Sequence, residues 1–220
     1  MMRNTILFDL DQTLLDKHQT LLHFAARQYK LFKLSTYVED RELFITEFTR
    51  LHEIVMPKKE VYQKLRLQFS LQHSLMEDML ENLNHQFPKE SVAFPGLTRM
   101  LNELKQKHFK IGIITNGRDF YQRSKIDSLG ITSYMDIIVT SGELGIKKPD
   151  PAIFLHGLGK LEVQPEQAIF VGDDLTKDIV PAKSLGMRTI LMGSHQVNPD
   201  IDTNCVHLDE VVKAVEKLRY

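Results

Sequence analysis

Thr5-Ile6-Leu7-Phe8-Asp9-Leu10-Asp11-Gln12-Thr13-Leu14-Leu15 is the stretch from which the fold of this chain is read. Thr5 to Phe8 show no polar alternation, the pattern of a strand buried on both faces in a parallel sheet. Asp9 then stands at the strand's carboxyl end, the edge of an open α/β sheet that faces the ligand crevice. Two carboxylates this near each other in sequence repel unless a cation or a proton lies between them. The pair points to a hard cation with oxygen ligands, such as Mg2+, or to proton transfer. Aspartate is also common in solvated turns, so the motif gains meaning only if other strand ends supply hydroxyl and cationic partners.

Outward from this stretch the chain changes character. Between residues 16 and 94 there is no glycine, and only Pro57 and Pro88 punctuate it. Leu21, Leu22, Ala25, Ala26 and Tyr29 recur at helical spacing, as do Leu43, Ile45, Phe48, Leu51 and Val55, then Val61, Leu65 and Phe69, and Leu75, Met79, Leu80 and Leu83. The segment reads as about four helices packed as a bundle, with Phe24, Tyr29, Phe32, Phe44, Phe48, Tyr62 and Phe69 as its core. From Leu97 onward strands alternate with helices. Strands are expected at 110–115, 136–140, 168–172 and 189–193, a helix at 119–129 closed by Gly130, a helix from Asp178, and a closing amphipathic helix at 208–218. Residues 193–203 read as irregular. The rhythm predicts an α/β fold, a Rossmann-like parallel sheet with right-handed crossovers, into which the α-helical bundle is inserted. The expected division is 1–15 with 95–220 for the α/β core and 16–94 for the bundle.

Composition narrows the function. The chain has 220 residues, 42% hydrophobic and 26% charged, with a net charge of −1, ordinary values for a globular protein. No basic stripe favours a nucleic acid polymer as partner, no apolar run reaches the roughly 18 residues of a membrane span, and no protein partner is inferred. Met1-Met2-Arg3-Asn4 leads straight into the first strand, leaving no room for a secretory signal. The single cysteine, Cys205, excludes an internal disulfide; a reducing cytoplasm is the expected home. Cys205 reads as a buried or strand-edge residue, His18 and His195 as linker and loop histidines, and His52, His73 and His85 lack zinc spacing.

Each strand end carries groups that handle phosphate. The first offers Asp9 and Asp11. The second offers Thr115, then Asn116 and Gly117, whose backbone N–H groups stand at a helix start where anions bind. The loop after the third offers Lys147 and Lys148, with Lys147 the solvated neighbour. The fourth offers Gly172-Asp173-Asp174 and then Asp178. A parallel sheet gathers these ends on one edge. With Mg2+ and a lysine to neutralise charge, Asp9 is able to attack phosphorus.

These four segments, in this order and each at a strand end, resemble the motifs of the haloacid dehalogenase-like superfamily: Phe8-Asp9-Leu10-Asp11-Gln12-Thr13-Leu14, Thr115-Asn116-Gly117, Lys148-Pro149 and Gly172-Asp173-Asp174-Leu175-Thr176-Lys177-Asp178. The resemblance spans essentially the whole chain, the helical insert being similar to that family's cap domain. It implies that Asp9 is nucleophile and metal ligand. Asp11 is the general acid and then the base, with its backbone carbonyl on Mg2+. Thr115 and the Asn116 N–H hold phosphate oxygens, Lys148 neutralises nucleophile and phosphate, and Asp173 is the acidic metal ligand. Asp178 binds the metal through water or orients Lys148, with Asp174 a competitor for either part. Gln12 departs from the family pattern, which commonly has glycine there, so a different turn after Asp11 is one expectation.

The family holds dehalogenases and phosphatases. Expelling halide needs no proton, whereas expelling an alkoxide is helped by an acid, and Asp11 is present. The expected function is a Mg2+-dependent phosphatase acting on a small phosphorylated metabolite through an aspartyl-phosphate, with a nucleoside monophosphate as first substrate. The alternatives are a 2-haloacid dehalogenase, a phosphomutase, and a non-catalytic phospho-ligand binder on the same fold.

Overall fold

The computed structural model describes residues 3–54 and 56–220. Val55, expected at the end of a helical run, and Met1 and Met2, expected to lead into the first strand, lie outside the described residues. Strand β1 (Thr5–Phe8) is followed by helices α1 (Lys17–Leu31), α2 (Arg41–Glu53), α3 (Lys58–Gln68) and α4 (His73–Gln86). Then come α5 (Leu97–Gln106), β2 (Lys110–Thr115), α6 (Asp119–Ser128), β3 (Ile137–Thr140), α7 (Ser141–Leu144), α8 (Pro151–Leu161), β4 (Ala168–Gly172), α9 (Val180–Ser184), β5 (Arg188–Met192), β6 (Thr203–Cys205) and α10 (Leu208–Leu218). The chain divides into two compact units, Met1–Asp16 with Ala93–Tyr220, and Lys17–Val92. The changeovers fall one residue after and two residues before the expected ones. No helix among the described residues is long and apolar enough to cross a membrane.

The first unit is built on a parallel sheet of order β3-β2-β1-β4-β5-β6. β1 lies in its interior, and the chain runs outward from it to β2 and β3 on one side and to β4, β5 and β6 on the other. The carboxyl end of β1 is therefore the switch point where such sheets bind ligands. All four β1 residues are buried because helices cover both faces. Ile6 and Phe8 pack with Leu97, Leu101 and Leu104 of α5 and Leu208, Val211 and Val215 of α10. Leu7 packs with Ile153, Phe154 and Leu158 of α8 on the other face.

The structure adds elements the pattern did not predict. β6 begins at the last residue of the stretch read as irregular. Three residues are too few to show a period, and a charge holds this edge. Asp202 accepts hydrogen bonds from Lys183 Nζ (2.7 and 2.8 Å), Arg188 Nη1 (2.7 Å) and the Thr189 N–H (2.9 Å). Cys205 is buried in β6. The helix expected from Asp178 begins earlier, as a π-helical turn at Leu175–Ile179 that leads into α9.

In the second unit Phe24, Tyr29, Phe44, Phe48, Tyr62 and Phe69 are buried, and Phe32 is half-buried. Two polar groups inside are matched to each other: Tyr62 Oη donates to Gln28 Oε1 (2.9 Å), and Gln28 Nε2 donates to the Met79 carbonyl (2.7 Å). His18, expected in a linker, lies in α1 and pairs with Glu53 (2.7 Å).

His52 is 2% exposed. Its ring stacks on Phe48 with centroids 4.0 Å apart. Nδ1 is 2.8 Å from the Phe48 carbonyl, which makes it the protonated nitrogen, and Nε2 has no partner. Burial, aided by the charges of Lys58 and Lys17, lowers its pKa to about 3. Between that value and the unfolded value near 6.5 the unfolded chain binds the extra proton, so stability falls as pH falls through this window. From pH 7 to pH 5 this residue is expected to remove about 2 kcal/mol. Chemical unfolding of wild type and His52→Leu at both pH values checks it: the wild type loses more stability by that amount, and equal losses would contradict the assignment.

Candidate active site

Lys148 is 3% exposed and joins the segments that follow the neighbouring strands β1 and β4. Its Nζ lies 2.6 Å from Asp9 Oδ1 and 2.6 Å from Asp178 Oδ1. Carboxylate oxygens of Asp9, Asp173 and Asp178 lie within 4.8 Å of one another. The sheet dictates this meeting. Asp9 extends β1, its N–H donating to Val171 of β4 (2.9 Å), and Asp173 follows β4 directly. Thr13, between them, has its hydroxyl 3.5 Å from both Asp9 Oδ2 and Asp173 Oδ1. Of the two adjacent lysines, Lys147 is exposed and Lys148 is buried.

Asp178 reaches the cluster because Gly172 has no side chain. A Cβ at position 172 would stand 2.5 Å from the Asp178 Cβ and Oδ2. The π-helical turn brings both the Asp178 and the Ile179 N–H to the Asp174 carbonyl (2.9 and 3.3 Å), and Asp178 Oδ2 accepts from the Asp174 N–H (3.2 Å). Asp174 itself caps the turn, accepting from the Thr176 and Lys177 N–H groups (3.0 and 2.9 Å) and pairing with Lys177. These bonds outweigh its partial burial and lower its pKa to about 2. Of the two competitors, Asp178 is the one in the cluster.

Thr115, at the end of β2, is buried. The Asn116 side chain clamps the Lys148 backbone in both directions: Nδ2 donates to the Lys148 carbonyl (2.9 Å), and the Lys148 N–H donates to Oδ1 (2.8 Å). The motif-two asparagine thus fixes the motif-three lysine. The Gly117 N–H, expected to face an anion, instead donates to Ser141 Oγ (2.9 Å); its φ of 148° turns the chain so that this bond forms. Gln12 takes a left-handed φ of 63° despite its side chain, and its N–H closes the turn onto Leu15 (2.8 Å).

The Asp11 carboxylate lies outside the three-carboxylate group. Lys125 Nζ lies 2.7 and 2.8 Å from its two oxygens, and Gln122 Nε2 donates to Oδ2 (3.1 Å). Gln122 Nε2 also reaches Thr115 Oγ1 (2.6 Å). Neither α6 residue was anticipated. The available signal was a short helix with weak amphipathicity that places glutamine and lysine three residues apart, on one face.

Electrostatically, three carboxylates share one ammonium. Burial, opposed by Lys148 and reinforced by Asp178, raises the Asp9 pKa to about 7. Burial and Asp178 raise Asp173 to about 6. Burial disfavours the Lys148 charge, but Asp9 and Asp178 overcome it and its pKa is raised. The surplus of about two negative charges, on oxygen donors alone, fits one divalent hard cation.

A family model described as haloacid dehalogenase-like hydrolase matches residues 6–192. The glyceraldehyde 3-phosphate phosphatase of Methanocaldococcus jannaschii is 37% identical over 131 residues, 57% of this chain and 58% of that protein. The phosphoglycolate phosphatase of Aquifex aeolicus is 28% identical over 190 residues, 84% of this chain and 83% of that one. Against three glyceraldehyde 3-phosphate phosphatases the match spans about half of their length, 58%, 48% and 42%. Among solved structures, a HAD phosphatase from Thermococcus onnurineus superposes with a TM-score of 0.65 at 25% identity, over 99% of this chain and 100% of that one. A 2-haloacid dehalogenase from Pseudomonas syringae pv. Tomato DC3000 superposes with a TM-score of 0.64 at 24% identity, over 98% and 99%. Proteins named for different reactions share the fold, so the fold does not choose between them.

Proposed function

The chain belongs to the haloacid dehalogenase-like hydrolases, and from that premise we propose that it is a Mg2+-dependent phosphatase of small phosphomonoesters. The observation that carries this reading is Lys148 Nζ held 2.6 Å from both Asp9 and Asp178, with Asp173 completing a three-carboxylate group. Asp9, Asp173 and Asp178 would hold Mg2+, with the Asp11 carbonyl as a further donor; the ion supplies charge neutralisation to the phosphoryl oxygens.

An Asp9 carboxylate oxygen forms the bond to phosphorus while the ester P–O bond breaks. Asp11, protonated for this step, gives its proton to the departing alkoxide. Water then attacks the aspartyl-phosphate, Asp11 takes the water's proton, the bond between phosphorus and Asp9 breaks, and inorganic phosphate leaves. Lys148 offsets charge on nucleophile and phosphate, and Thr115 and the Asn116 N–H hold phosphate oxygens. The helical unit Lys17–Val92 serves as the family's inserted cap and selects the leaving group.

An acid two residues beyond the nucleophile favours an ester substrate over a haloacid, since halide departs unprotonated. Relatives named for glyceraldehyde 3-phosphate and phosphoglycolate favour short aliphatic phosphate esters over the nucleoside monophosphate that the sequence first suggested. The test is phosphate release from a panel of two- and three-carbon phosphate esters, sugar phosphates and nucleoside monophosphates, with Mg2+ and with EDTA. The expected result is turnover of short esters with Mg2+, loss of at least about 100-fold with EDTA, and no chloride from chloroacetate. Chloride release without metal, or a flat panel, would overturn the proposal.

A further inference from the structure

We propose that Gln122 and Lys125 are positioning residues that make α6 the part setting how a proton reaches the leaving group; the inference rests on the phosphatase reading. Lys125 is 6% exposed and Gln122 is 2% exposed, so neither is a solvated surface group brought in by chance. Lys125 Nζ contacts both oxygens of Asp11 at 2.7 and 2.8 Å, which fixes the carboxylate's position and its plane. The ammonium is steadied as well: Nζ stands 5.3 Å from the centroid of the Tyr121 ring on the same helix.

Gln122 ties this acid to the phosphate-binding strand. A carboxylate only accepts, so the amide atom facing Asp11 Oδ2 at 3.1 Å is the nitrogen. Its second hydrogen points to Thr115 Oγ1 at 2.6 Å. The Thr115 oxygen is then an acceptor toward α6, and its own O–H is left to donate to a phosphate oxygen. Gln122 is seated against Gly117, where a Cβ would come within 2.9 Å of the glutamine Cγ and Cδ. One helix face therefore holds the acid and the phosphate-binding hydroxyl at a fixed separation. The substrate class that needs this device is the phosphate ester of an aliphatic alcohol, whose alkoxide leaves poorly without a proton. An aryl phosphate, leaving as a stabilised phenolate, needs it far less.

The experiment compares kcat/KM, which reports the steps through leaving-group departure, for an alkyl phosphate and for 4-nitrophenyl phosphate with Mg2+. Lys125→Met is expected to lower the alkyl-to-aryl ratio by about 100-fold, and Lys125→Arg to restore most of it. Gln122→Ala is expected to lower the ratio in the same direction and to raise KM for both esters through Thr115. It reads the same ratio should Lys125→Met fail to fold. Equal losses on the two esters would mean a merely structural role and overturn the proposal, as would a rise in the alkyl rate. Wild type inactive on both esters would instead remove the phosphatase reading itself.

Discussion

Asp9→Asn is expected to lower kcat by on the order of 10,000-fold or more on every phosphate ester the wild type hydrolyses, without lowering stability. The amide keeps the size of the side chain but lacks the electron pair that attacks phosphorus, so no covalent phosphoprotein forms. KM is expected to stay level or fall, because one negative charge is removed from beside an incoming phosphate dianion. Stability follows from the electrostatics of the metal-free site. Burial raises the Asp9 pKa to about 7 against an ordinary value of 3.8, so the folded protein binds more protons than the unfolded chain between those values. The contribution of this carboxylate to stability therefore declines as pH rises from about 4 to 7. A neutral amide does not titrate, and metal-free Asp9→Asn is expected to melt at or above the wild-type temperature at pH 8. An acid quench during turnover with radiolabelled substrate measures the intermediate and calorimetry measures the melting point; a variant that still turns over would remove Asp9 as nucleophile.

The parts of this molecule legible in its sequence are those written in local pattern. β1, β2 and β4 are apolar runs buried on both faces, and such runs declare themselves without tertiary information. The break at residue 16 showed as a loss of strand pattern, and the absence of glycine until Gly96 marked a helical insert. What local pattern does not carry is which side chain meets which across the crevice. Asp174 and Asp178 are equivalent in composition. Only the π-helical turn and the missing Cβ of Gly172 turn Asp178 inward and leave Asp174 as a cap. The Gly117 N–H was read as an anion donor because it stands at a helix start; Ser141, 24 residues later, claims it instead. Gln122 and Lys125 were not singled out, because their partner Asp11 lies more than a hundred residues away in the chain. β6 escaped because its edge is held by the Asp202 ion pairs and not by an apolar run.

Lys148→Met is expected to destabilise the metal-free protein by about 3–5 kcal/mol near pH 7 and to abolish turnover. Replacing a whole buried ion pair by apolar groups is often harmless, but removing one partner strands the other. Here the loss strands two buried carboxylates, Asp9 and Asp178, each 2.6 Å from the same ammonium. Protonation is the route by which such groups escape. Without the lysine, the already raised pKa values of Asp9 and Asp173 rise further. The folded variant then binds more protons than the unfolded chain at every pH between about 4 and those values. Stability consequently increases as pH falls through this window, and the deficit against wild type shrinks from its full size at pH 7–8 to a small remainder near pH 4. The wild-type contribution has the opposite limit. Its lysine pKa is raised above 10.5, so that stabilisation is complete below 10.5 and is lost only as pH climbs through the raised value. Mg2+ at the carboxylates compensates the missing ammonium, and its addition is expected to raise the melting temperature of the variant more than that of the wild type. Turnover does not return, because the cation facing the phosphate is still missing. Melting curves at pH 4, 7 and 8, with and without Mg2+, decide the matter: a variant as stable as wild type at pH 7 without metal would mean that Lys148 does not neutralise the cluster.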